Sequence, residues 1–129
     1  MAQKENNIIP MIFDEAFYRK MATQKWRQQD YKKAAEYYEK VLELSPKDFD
    51  IQQHYAQCLV KLNIGKKAER LFYENIVKDF HVAESFYELS QLNIELNEPN
   101  KAFLFGINYV ILSEDKDFRE MLEKTFEVT

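Results

Sequence analysis

Side chains able to do chemistry are few in this chain and poorly spaced for it. His54 and His81 lie 27 positions apart, and Cys58 is the one thiol. A structural zinc site needs closely spaced pairs of such ligands, so no metal and no cofactor are expected. Cys58 falls on the apolar side of its segment, near Tyr55 and Leu59, and reads as a buried structural thiol rather than a nucleophile. Gly65-Lys66-Lys67 resembles a phosphate loop only in its letters. Such a loop needs an earlier glycine, a preceding strand and a Ser or Thr after the lysine, so the triplet reads as an inter-helix turn. Glu84 and Glu88 stand four apart, which on a helix is a solvated face and not an acid/base pair. No enzyme is expected.

Charge placement is more informative. Residues 15–48 carry eight Lys/Arg against six Asp/Glu, whereas residues 83–129 carry four against ten. The chain is electrically polar from one end to the other, and a partner of opposite polarity would be steered by it.

The elements that must position these charges are helices. With two glycines and three prolines there is little material for sheet turns or linkers. Ala34, Ala68 and Ala102 recur every 34 residues, and Ala22, Ala56 and Ser90 recur in step with them. Small residues at both sets of positions let two backbones approach where a pair of helices crosses. Tyr38, Phe72, Leu42 and Ile76 then fill the space between pairs. Caps and breakers set the boundaries. Asp14 precedes a helix to about Gln28, Asp30 opens one that stops before Pro46, and Asp48 or Asp50 starts a third. Gly65 turns the chain into a fourth that runs to about Lys78. Segments 84–96 and 100–113 form a last pair with Pro99 at a helix start. After Asp117, the residues Phe118, Met121, Leu122 and Phe126 predict a covering helix. The aromatic residues are assigned to this core, so no nucleic-acid stacking surface is expected. Neither a signal region nor a span of about 20 apolar residues occurs, which points to the cytosol and away from a membrane.

In this register the residues resemble the tetratricopeptide repeat, whose pattern runs Trp-x2-Leu-Gly-x2-Tyr, then Ala-x3-Phe, then Pro. The first unit offers Tyr18, Met21, Ala22 and Lys25, then Ala34, Tyr38 and Pro46. The second offers Gln52, Tyr55, Ala56 and Leu59, then Ala68 and Phe72, with Phe80 where proline is usual. The third offers Phe86, Leu89, Ser90 and Asn93, then Ala102, with Gly106 and Glu114 replacing the aromatic residue and the proline. The resemblance implies an all-α, right-handed superhelical solenoid of three helix pairs, with repeats at 15–48, 49–82 and 83–116 and a cap helix at about 117–127. Residues 1–13 form an apolar leader, with Ile8, Ile9, Met11, Ile12 and Phe13 around Pro10.

The family's first helices line a concave groove. By resemblance its lining here would be Arg19, Lys20, Thr23, Trp26 and Arg27, then Gln53, His54, Gln57, Val60 and Lys61. Glu84, Tyr87, Glu88, Gln91, Ile94 and Glu95 would follow. The co-chaperone subset grips an acidic tail with lysine, asparagine and arginine, and this chain departs from it. Arg19 could stand for the first lysine, but Thr23 and His54 occupy asparagine positions, and Glu84 and Glu88 reverse two cations. The expectation is a protein- or peptide-binding scaffold. The alternatives are a secretion-type chaperone or a self-assembly module, joined through Leu104, Phe105, Ile107 and Ile111 or through residues 8–13. More loosely, the chain is similar to the amino-terminal segment of longer cytosolic tetratricopeptide proteins of low-GC Gram-positive bacteria, and would then be one domain of a larger product.

Overall fold

In the computed structural model, residues 14–126 are described, and the expected apolar leader and the last three positions lie outside them. The described residues form helices joined by short turns, with no strand among them. They divide into two compact units, one ending at Asn63 and the other beginning at Ile64.

The first unit holds α1 (Glu15–Arg27), α2 (Tyr31–Leu44) and α3 (Phe49–Lys61). An aspartate caps each of them, because a carboxylate just ahead of a helix accepts from an amide that has no partner within the helix. Asp14 accepts from the Phe17 amide at 3.0 Å, Asp30 from Lys33 at 3.2 Å and Asp48 from Ile51 at 3.1 Å. α1 packs on α2 and α2 on α3. Ala22, Ala34, Tyr38, Val41, Ala56, Cys58 and Leu59 are buried there.

The second unit holds α4 (Gly65–Val77), α5 (Val82–Glu95), α6 (Pro99–Ser113) and α7 (Lys116–Thr125), each packed on the next. Ala68, Phe72, Leu89, Leu92, Ala102, Phe118 and Leu122 form its apolar core. Buried Ser90 donates to the Ala102 carbonyl at 2.8 Å, so a polar group sits at the α5–α6 crossing without an unmet hydrogen bond. A Cβ on Gly106 would come within 2.7 Å of both Leu122 methyl carbons. Glycine there lets α7 settle closely on α6, where the family pattern has a large aromatic. α7 is capped by Asp115, which accepts from the Phe118 amide at 2.9 Å, and so starts just ahead of the expected residue 117.

One expectation fails at the turns. Gly65 is the first residue of α4 and not a turn residue. The sharp turns into α2, α4 and α6 are made instead by Gln29, Asn63 and Asn97, at φ of 60°, 63° and 58°. These positions are again 34 apart. Asparagine tolerates the left-handed region by hydrogen-bonding locally, and glutamine has no such compensation. Gln29→Gly should therefore stabilise the first unit by about 1 kcal/mol, read as a higher denaturation midpoint with an unchanged slope. A lower midpoint would show that the Gln29 side chain contributes more than its backbone strain costs.

Candidate functional site

The first unit gathers an aromatic and cationic surface. Lys20, Thr23 and Arg27 are exposed along one stripe of α1, at the three- and four-residue spacing that puts side chains on one face. With Arg19, Gln24 and Gln28 they line an open hollow of about 680 Å³. Rings lie next to it. Trp26 meets Tyr31 edge-on at 5.2 Å between centroids and lies 6.5 Å from His54, which stacks on Tyr38 at 5.9 Å. The Lys61 ammonium sits 5.9 Å over the Tyr31 ring. One face thus receives Trp26 from α1, Tyr31 from α2, and His54 and Lys61 from α3, with Gln57 half-buried nearby in sequence. Half-exposed rings beside cations suit a segment that carries both carboxylates and apolar side chains.

Two expected lining residues behave differently. Gln53 is 3% exposed, because α3 buries a broad arc that also includes Ile51, Gln52, Tyr55 and Ala56. It is not available from outside. Arg19 belongs to a network: its guanidinium donates to Glu15 at 2.8 Å and to Asp48, and Ser45 donates to the other Glu15 oxygen. The hydrogen bond to Asp48 raises the Arg19 pKa. The bond from Ser45, followed by that from Arg19, holds the Glu15 carboxyl below its ordinary value. Burial alone would raise Asp48, but bonds from Arg19 and the Ile51 amide outweigh it and leave it lowered. Arg19 thus ties α1 to the start of α3, and Lys20, Arg27 and Lys61 are exposed cations of the first unit. Pro46 is exposed in the turn after α2, where it keeps that helix from continuing.

This network has a consequence for pH. Both carboxyls titrate lower in the folded chain than in the unfolded one. Their contribution is therefore complete at neutral pH and is lost as the pH falls below the ordinary carboxylate range. Asp48→Asn keeps an oxygen for the Ile51 amide but removes the charge. Melting curves from pH 7 to about pH 3 should show a shallower acid loss for this variant than for the parent. Parallel curves would mean that the network adds no pH-dependent stability.

The second unit presents carboxylates. On α5, Glu84 and Glu95 are exposed, and Glu88 and Gln91 are half-buried. Tyr87 and Ile94 keep about a third of their surface. Tyr87 has a second task, since its ring packs at 5.2 Å on both Tyr109 and Phe118 and forms a platform for α7. Of the apolar α6 residues, Leu104 and Ile111 are exposed and Ile107 is half-buried. Phe105 packs on Tyr73 at 5.6 Å and Phe86 at 6.3 Å, so its ring is largely used inside the unit.

Cys58 has no exposed surface, and burial pushes its thiol up to about 12, so it is protonated at neutral pH. Among the described residues, no three His, Cys, Asp or Glu side chains gather where a metal could be held. Nor is any described helix long and apolar enough to cross a membrane.

The family model described as tetratricopeptide repeat matches residues 25–72, which run from the end of α1 into α4. Over those residues the chain is similar to the tetratricopeptide repeat. None of the curated proteins matches the chain. Among solved structures, the crystal structure of MamA protein superposes with a TM-score of 0.76 at 19% sequence identity. The alignment covers 88% of this chain and 62% of that one, so the chain spans under two thirds of the MamA chain. The likeness is one of fold, an all-α helical repeat solenoid. In repeat terms the starts of α2, α4 and α6 at Tyr31, Gly65 and Pro99 keep the 34-residue period. The small residues Ala22, Ala56 and Ser90 and their partners Ala34, Ala68 and Ala102 are all fully buried.

Tyr31, Gln24 and Gln28 are members of the first-unit face that sequence reasoning missed. Tyr31 had a signal, since it follows the turn at Gln29 and opens the second helix of its repeat, close to where the first helix ends with Trp26. The two glutamines carry no charge and had none.

Proposed function

We propose that the chain is a non-enzymatic, cytosolic protein-binding scaffold whose first-unit face takes an acidic segment of an extended polypeptide. The supporting observation is the joining of Trp26, Tyr31 and His54 with Lys61 in the first unit, whose α1 also exposes Lys20 and Arg27. Rings supply contact area at little conformational cost, and cations at the edge select sign and speed encounter. The α5 face of the second unit has the opposite sign at Glu84, Glu88 and Glu95 and suits a basic segment.

An acidic tail gripped in the co-chaperone manner is disfavoured. Thr23 and His54 lack the carboxamides of that clamp, Arg19 is engaged by Glu15 and Asp48, and two carboxylates stand where cations are needed. The first-unit reading is tested by reversing Arg27 and Lys61 to glutamate. Both side chains are exposed, so the fold should be kept while affinity for acidic peptides falls at least about tenfold at low salt. Unchanged affinity would place the working surface elsewhere.

A further inference from the structure

The end of the second unit holds a feature that peptide binding on α1 and α3 does not use. α7 covers only part of the apolar side of α6, and an open cleft of about 720 Å³ remains between the two helices. Phe103, Ile107, Val110 and Ile111 of α6 and Leu122 of α7 make its floor. Ile111 is 69% exposed. An open apolar floor of this kind can receive an apolar side chain of an occupant.

The rim indicates which occupant. Asp115 is already engaged, accepting from the Phe118 amide at 2.9 Å and from the Tyr109 hydroxyl at 2.8 Å. The other rim charges are Glu114, Glu123, Lys116 and Arg119, two of each sign. None of these four forms an ion pair with another described residue. A strongly acidic or basic partner would gain at one pair what it lost at the other. A second copy related by a two-fold axis avoids this conflict, because isologous pairing sets residue i against j and j against i, so that cations of each rim can face carboxylates of the other. The carboxylates of Glu84, Glu88 and Glu95 belong to α5 and not to this rim. We propose that the α6–α7 cleft is the self-complementary interface of a homodimer of this chain.

Sedimentation velocity over a concentration series tests this, with far-UV circular dichroism to verify folding. The parent should sediment as a dimer. Ile111→Glu, at a site largely open to solvent, should keep its helical signal and weaken association by about 100-fold, since the carboxylate would have to enter an apolar interface. The double variants Lys116→Glu with Arg119→Glu, and Glu114→Lys with Glu123→Lys, should each be monomeric, and their mixture should form a heterodimer. A monomeric parent would overturn the proposal. If Ile111→Glu also lowered the melting temperature of such a monomer, the cleft would be filled by the chain's own residues. A dimer indifferent to Ile111→Glu, or charge variants that fail to pair when mixed, would overturn it equally. Peptide binding at the first-unit face should be unaffected by Ile111→Glu, so the two proposals fail separately.

Discussion

Phe72→Ala should destabilise the second unit by about 3–5 kcal/mol, the largest single effect expected in the chain. Phe72 is fully buried on α4 and is the largest fully buried side chain among the described residues. Its removal loses the transfer of a whole ring from water and leaves a cavity in a packed core that relaxes only partially. A domain of this size holds a total of about 5–15 kcal/mol. The variant should therefore melt far below the parent, and the second unit should lose its amide protection before the first. Thermal and urea denaturation with hydrogen exchange would show this. A loss under about 1 kcal/mol would mean that the ring is not part of a close-packed core.

Ala102→Leu acts by the opposite route. Ala102 is fully buried, and its carbonyl accepts the Ser90 hydroxyl, so the α5 and α6 backbones approach closely at that point. A leucine would force the two helices apart and break that hydrogen bond, at a cost of about 1–3 kcal/mol through overpacking. Helical signal at low temperature should persist while the melting temperature drops. A neutral substitution would contradict the close crossing on which the 34-residue register depends.

The helical architecture was legible because its signals are local and repeated. A small residue must sit where two helices touch, and Ala22, Ala34, Ala56, Ala68, Ser90 and Ala102 declare that spacing without any alignment. The aspartate caps at Asp14 and Asp30 were legible for the same reason, and the third was narrowed to Asp48 or Asp50, of which Asp48 is the cap. The turns were not, since the left-handed conformation at Gln29 has no signature in glutamine and Gly65 drew attention to a position that is helical. The candidate face was only half visible. The resemblance placed Gln53 on the groove lining, but α3 has neighbours that bury a wide arc of its surface. The Arg19–Asp48 pair joins residues 29 apart, and nothing in either segment announces the other. The ring cluster of Trp26, Tyr31 and His54 likewise arises only once three helices have been placed.

Trp26 is the single tryptophan of the chain and stands within the proposed binding face, which makes its fluorescence the most direct measurement of the central claim. The intact protein should be titrated with unstructured peptides matched in length and apolar content but rich in either glutamate or lysine. Glutamate-rich peptides should shift or quench Trp26 emission with a saturable dependence. The effect should weaken as salt rises from low ionic strength past 0.1 M, where screening sets in within about 10 Å, and should disappear when Arg27 and Lys61 are both glutamate. Emission that is unmoved by the acidic series, or moved equally by the basic one, would contradict the account.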